Sequence, residues 1–144
     1  MRDHTSLRVW QCARKLVIDV HRMAGRIWHP SLAAILEQLR RSSLSVQLNI
    51  AEGQALGSGR QFARHLTIAY GSAIESVELI DLLRELAPDH EHELKSLADN
   101  ARRNGSHVLA LKRSIVRRLW FRAQDPADNG KVPRRGAETC GRRC

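Results

Sequence analysis

The chain reads as an all-α protein, an antiparallel up-down-up-down four-helix bundle. Three observations carry that reading. Apolar residues recur at spacings that alternate between four and three, over segments long enough to be helices. The breaks between those segments are short, at His29-Pro30, at the Gly53–Gly59 stretch and at Pro88. Leu, Ala, Arg, Glu and Gln dominate while aromatics make up only 4 %, a balance that favours helix over sheet. Long helices with short connections place neighbours antiparallel.

At 144 residues the natural count is one domain. The bundle is assigned to residues 1–123. Residues 124–144 are rich in Pro, Gly and charge, without apolar periodicity, and are expected to be disordered.

Thr5 or Ser6 is a suitable cap for a first helix running to about Trp28. Val9, Ala13, Leu16, Val20, Met23 and Ile27 form its apolar seam, a seven-residue repeat of the kind that builds left-handed bundles. His29-Pro30 ends it, because proline disfavours helical geometry in the residue before it. Ser31 is the expected cap of a second helix from Leu32 to about Glu52, with Leu39, Val46 and Ile50 spaced by Ser42, Ser43 and Ala51. Gly53 suits the left-handed position after a helix end. Ser58 followed by Gln61 is a capping-box pair for a third helix, Arg60 to about Ala87, closed by Pro88. Asp89 then caps a fourth helix from His90 to about Arg122. Its apolar face is Leu94, Leu97, Ala101, Val108, Leu111, Ile115 and Leu119, and Asn104-Gly105 is expected to bend or fray it.

Charge is distributed unevenly. The net value is +9, with a pI near 10.7. Residues 1–71 carry a net +6, residues 72–99 a net −6, residues 100–123 a net +7 and the tail +2. A basic balance of this kind points to nucleic acid or an acidic partner and says nothing about fold. The acidic third helix, between basic neighbours, is placed to act as electrostatic glue or to leave separate acidic and basic faces. No apolar run approaches the roughly 18–20 residues of a membrane span, and MRDHTSLRVW lacks a signal-peptide apolar region. With three cysteines and no extracellular address, a reducing cytoplasmic setting is expected.

The stretch QLRRSSLSVQLNIAEG, followed by F-x-R-x-L-x-I-A-x-GS-x-x-E, resembles the proteins encoded in intervening sequences of bacterial 23S ribosomal RNA genes. The match rests on Asn49, Ile50, Ala51, Glu52, Gly53, Phe62, Leu66, Ile68, Ala69, Gly71, Ser72 and Glu75, and with LRVWQCARKL from Leu7 it covers roughly residues 7–120. The family is similar in fold to the accessory variability proteins (Avd) of diversity-generating retroelements. The resemblance implies a four-helix bundle assembled as a homopentamer, with RNA as the preferred nucleic acid. Within this motif, with Gly53 and Gly71, the polar residues Asn49, Glu52 and Glu75 are expected to satisfy backbone groups and fix packing at a helix junction, a polar site being the alternative. Where the family often has a proline before the asparagine, this chain has Gln47 or a neighbour, which implies a straighter second helix.

The leading functional candidate is the outer face of the fourth helix. Arg102, Arg113 and Arg117 point away from the apolar stripe with Trp120 beside them, while Arg118 and Arg122 flank it on one side and Lys112 on the other. Arginine forks suit phosphate, and an exposed tryptophan can stack on a base. The competing readings are an acidic protein or neighbouring subunit, and plain solvation. On the first helix Arg8, Lys15, Arg22 and Arg26 fall within about 40° of one another, a basic stripe that is either a solvated face or a phosphate contact. Arg40-Arg41 are expected to pair with acids of the third helix, with phosphate as the alternative. Lys131, Arg134, Arg135, Arg142 and Arg143 in the tail would add a loose electrostatic contact. Trp10, Trp28 and Trp120 are large residues near helix ends, some of them candidates for subunit contacts.

No catalysis, cofactor or metal is expected. His90 and His92 project about 200° apart on a helix and cannot converge. Cys140 and Cys144 lack a second pair for zinc, and Cys12 suits a small apolar site. There is no GxxxxGK[ST], H-E-x-x-H or G-x-S-x-G motif. The sequence thus predicts a non-catalytic basic bundle that binds nucleic acid, RNA being what the resemblance implies. The alternative is an Avd-like scaffold that docks a reverse transcriptase, and a third reading is a structural oligomer kept soluble by its charge.

Overall fold

A computed structural model of the chain describes residues 4–124. The expectations for the tail, including Cys140, Cys144 and the basic residues Lys131 to Arg143, lie outside the described residues.

Four helices account for nearly all of that span: α1 (Arg8–Arg26), α2 (Ala33–Ala55), α3 (Gly59–Leu86) and α4 (Glu91–Ala123). Short 3-10 turns, His4–Ser6, Pro30–Leu32 and Pro88–His90, precede α1, α2 and α4. α3 packs along both α2 and α4, and α1 closes the bundle against α2 and α4 with less contact. The architecture is the expected all-α bundle with antiparallel neighbours.

The heptad residues of α1 are all buried, Ile27 just past its end included. The core divides into two apolar clusters, one above the other. One holds Leu16, Val20 and Met23 of α1 with Leu36, Leu39, Ile80, Leu83, Leu94 and Leu97. The other, toward the α2–α3 turn, holds Val9, Trp10, Ala13, Val46, Ile50, Leu66, Ala69, Val108 and Ile115. Between them, at mid-height of α2, α3 and α4, sits a belt of buried polar residues, Ser42, Ser43, Ser76 and Asn104. Ser42 and Ser76 share a hydrogen bond of 2.8 Å between hydroxyls. The serines have short side chains that let α2 and α3 approach closely while local backbone carbonyls satisfy their hydroxyls. Asn104 has neither end of its amide paired among the described residues.

Several boundaries differ from the sequence reading. α1 stops at Arg26, two residues before Trp28, because Ile27 has already left helical geometry (ψ 9°) ahead of His29-Pro30. Its N-cap is Leu7, in extended conformation, with Thr5 and Ser6 in the preceding turn. Ser31 is not a cap either: His29 accepts the Ser31 N–H, and the Ser31 hydroxyl meets His29 Nδ1 at 2.7 Å. Asp89 lies inside the turn begun by Pro88, and α4 starts with Glu91 and Glu93 in its first turn, where carboxylates favour the positive end of the helix dipole. The Ser58 cap stands as expected, accepting from the Gln61 N–H and donating to Gln61 Oε1 at 2.8 Å. α2 runs uninterrupted through Gln47.

The larger correction concerns glycine. The left-handed residue of the α2–α3 turn is Gly57 (φ 72°), not Gly53. Gly53 is helical and buried inside α2, where a Cβ would lie 2.7 Å from Phe62 and 2.8 Å from His65 Cβ. It is required for close approach of α3, not for a turn. Gly105 likewise does not break α4. It faces α3, with Ala73 Cβ 3.5 Å from where its own Cβ would be, and the helix continues.

Candidate nucleic-acid interface

The family-like residues at the α2–α3 seam form a packing device. Asn49 donates to the Ser45 carbonyl at 2.9 Å and accepts from His65 Nδ1 at 3.1 Å. Glu52 lies 3.7 Å from the same imidazole nitrogen. Gln38 donates to Glu75 at 2.5 Å, and Ser45 meets Ser72 at 2.8 Å. Residues Asn49, Glu52 and Gly53 thus converge on His65 and hold the two helices in register. Gly71 is exposed, with nothing within 4 Å of where a Cβ would sit.

Among the proposed nucleic-acid residues, three are engaged by acids. Arg102 Nη2 donates to Asp81 Oδ2 on α3 at 2.5 Å and its Nη1 to Asp99 at 3.3 Å. Sequence distance hid this contact, since Asp81 lies on the neighbouring helix. Lys15 pairs with Asp19 at 2.5 Å and Arg26 with Glu93 at 3.0 Å. These lie with Arg22 and His92 along a groove of about 410 Å³ between α1 and α4 that mixes both signs of charge. The basic stripe of α1 is therefore half neutralised, and Arg102 leaves the site. Arg40 and Arg41 also depart from expectation. Both meet Glu37 on their own helix, at 3.9 and 3.2 Å, rather than an acid of α3. The α3 acids act as glue toward α4 instead, through Asp81–Arg102. Arg84 ties Asp81 to Glu91 across the α3–α4 turn. Hydrogen bonds to Glu91 and Asp81 raise the already high pKa of Arg84, and the hydrogen bond from Arg84 holds the Glu91 carboxyl below its usual value.

Arg22 stays in the α1–α4 groove, and the remaining predicted cations gather at the opposite end. The half of the bundle around the α2–α3 turn contains Arg8 and Arg14 from α1, and Lys112, Arg113, Arg117, Arg118 and Arg122 from α4. Arg60 and Arg64 join them from the first turns of α3, and the sequence reading missed both. Glu52 is the one acid of this half among the described residues, and none of these cations forms an ion pair with a described residue. The topology brings them together: α1 begins where α2 and α4 end and α3 starts. Arg113 and Arg117 lie on the outer face, with Trp120 56 % exposed and Phe121 against it edge-on at 5.0 Å. Arg118 and Arg122 lie about 140° further around the helix and turn toward the α2–α3 turn. There they line a pocket of about 360 Å³ with Leu7, Gln54, Phe62 and Leu119. Trp10 plays no part in this surface. It is buried at 8 % exposure, edge-on to His4 and with Arg14 over its ring at 5.5 Å. Trp28 is exposed at the other end.

No group of three His, Cys, Asp or Glu among the described residues is placed to hold a metal ion. Cys12 is half-buried on α1. No helix of the described residues is long and apolar enough to cross a membrane.

Compared with known families, residues 5–108 match the one described as 23S rRNA-intervening sequence protein. The chain belongs to that family. None of the curated proteins matches it. The part of this family member that matches takes in α1, α2, α3 and the first half of α4, including the Asn49–His65–Glu52 seam. It ends at residue 108, so Arg113, Arg117, Arg118, Trp120 and Arg122 lie beyond it.

Proposed function

We propose that this protein binds nucleic acid, RNA in particular, at the end of the bundle formed by the α2–α3 turn and the last turns of α4, and that it does so without catalysing a reaction. The observation that carries the reading is the group Arg113, Arg117, Arg118 and Arg122, which have no carboxylate partner among the described residues beside an exposed Trp120. Cations left unpaired on one surface repel one another, and a polyphosphate backbone relieves that repulsion while releasing counterions. Arg8, Arg60 and Arg64 extend the same surface. The choice of RNA over DNA follows the family description, not the charge.

The test is RNA binding across a salt series with wild-type protein and an Arg113→Gln, Arg117→Gln, Arg118→Gln triple variant. The wild type loses affinity steeply as salt rises. The variant binds at least tenfold more weakly, and its salt slope is shallower by about two units, at roughly 0.7 per phosphate contact for single strands. Unchanged affinity removes α4 from the site.

A second surface bears on assembly. Leu44 and Leu48 of α2 and Ile68 and Leu82 of α3 are all at least 40 % exposed on the α2–α3 hairpin, with the bare Gly71 among them. An apolar, small-residue face of this kind fits self-association, with the homopentamer as the form proposed. The same face is where a reverse transcriptase would dock in the scaffold reading. Light scattering on the purified chain separates the two: a pentameric mass assigns the face to copies of this chain, and a monomeric mass leaves it to a different protein.

A further inference from the structure

The pocket under Arg118 and Arg122 differs in kind from the open arginine face. Its floor is apolar, made by Phe62, Leu119 and Ile115, and its rim carries the two arginines. No acidic residue lines it. The side-chain amide of Gln54, on its wall, has no hydrogen-bond partner among the described residues and keeps both an N–H donor and a carbonyl acceptor. At about 360 Å³ the volume lies in the range of small-ligand clefts. The Ser58 hydroxyl, also at the wall, is already committed to Gln61.

We infer that this pocket takes one unpaired nucleotide of the bound RNA: the base lies on Phe62 and Leu119 with its edge toward Gln54, and the flanking phosphates meet Arg118 and Arg122. The inference rests on the proposed RNA-binding role of the same end and adds to it the class of RNA recognised, single-stranded or looped. An apolar floor gives a base face what water does not, whereas it gives a continuous duplex nothing, because paired bases cannot leave the stack without cost. The two rim cations supply the charge match. Trp120 and Phe121, on the outer side of the same helix turns, are placed to stack on a neighbouring base.

A surface that reads charge alone favours the duplex, whose charge density is higher. The experiment exploits that difference. Full-length protein is titrated into a fluorescein-labelled RNA single strand and into the same strand annealed to its complement, at one salt concentration, with anisotropy as the readout. A third titration uses a strand carrying 2-aminopurine, whose fluorescence rises when the base unstacks. The expected result is at least tenfold tighter binding of the single strand, with a rise in 2-aminopurine emission. Gln54→Trp, which fills the pocket and leaves every arginine in place, brings the single-strand affinity down to that of the duplex without changing the latter. Equal or tighter duplex binding by the wild type overturns the inference and leaves the charge-based RNA reading standing. So does single-strand affinity that Gln54→Trp leaves unchanged. Absence of binding to either RNA at low salt overturns both. The comparison of single strand with duplex uses wild-type protein, so it decides the question even if the variant does not fold.

Discussion

Arg102 reaches across the seam between α3 and α4 to Asp81, with Nη2 2.5 Å from Oδ2, and holds Asp99 on its own helix at 3.3 Å. Its charge is matched at the surface by two carboxylates of the bundle itself. In sequence it sits among the cations of residues 100–123 and looks no different from Arg113. In space it belongs to the acidic half. Arg102→Gln is therefore expected to leave RNA affinity within twofold of wild type while lowering stability by about 0.2–1 kcal/mol, the usual range for an exposed ion pair. Titrations and thermal melts of this variant beside Arg113→Gln make the comparison. A tenfold loss of affinity for Arg102→Gln would return that residue to the interface.

Two glycines of the family-like stretch are expected to respond in opposite directions. Gly53→Ala places a methyl 2.7 Å from the Phe62 ring and forces α2 and α3 apart. Overpacking of this kind costs about 1–3 kcal/mol, more than the roughly 1 kcal/mol that alanine gains in a helix. Gly71→Ala meets open space and is expected to gain up to about 1 kcal/mol in the folded chain. Circular-dichroism melts of the two variants read the signs directly. If Gly71 lies at a contact between copies, its variant shows the stability gain together with a loss of assembled mass.

Asn104 is 2 % exposed, with neither its Nδ2 nor its Oδ1 paired among the described residues. A buried amide in that state gives up its hydration without replacement. Asn104→Leu, of similar shape, is expected to raise the urea midpoint by the equivalent of about 1–2 kcal/mol with an unchanged denaturant slope. A lower midpoint would mean that the amide is satisfied in solution, or that the polar belt at mid-height sets the register of α4 against α3.

Acid is expected to loosen the α3–α4 turn. Hydrogen bonding to Arg84 holds the Glu91 carboxyl below its ordinary value of 4.5 in the folded chain. A carboxylate depressed on folding contributes stability that is full above the unfolded-state value and is lost as the pH falls through the folded one. The melting temperature should thus drop below pH 4.5, and Glu91→Gln should make that drop smaller while lowering stability at neutral pH. Glu91 is exposed and Arg84 partly so, and salt should weaken the effect. Parallel melts of wild type and variant at neutral and acid pH check it. An identical acid drop in both would assign it to other carboxylates.

Much of the fold was legible along the chain. The seam of Val9, Ala13, Leu16, Val20 and Met23 is buried as its spacing requires, Ser58 caps α3, and the breaks at Pro30 and Pro88 fall where the helices end. Periodicity and proline effects act within a few residues of the same segment, so sequence alone determines them. Where one signal competes with another, the local reading slips. Gly53 looks like a helix stop until α3 is packed against it, and Ser31 looks like a cap until His29 takes its N–H.

The site divides along the same line. Sequence alone determined that α4 carries an arginine-rich face with a tryptophan, because helical phase follows from residue number. Apart from Lys15, which meets Asp19 within α1, tertiary structure decided which of these cations remain free. Asp81 and Glu93 reach Arg102 and Arg26 from other helices, while Arg113, Arg117, Arg118 and Arg122 meet no acid among the described residues. It also decided that Arg60 and Arg64 share an end with α4 and that Phe62 and Leu119 enclose a pocket beneath Arg118. Ion pairing and enclosure depend on distances between helices, and those distances are set by how the seams pack, not by the order of residues along any one of them.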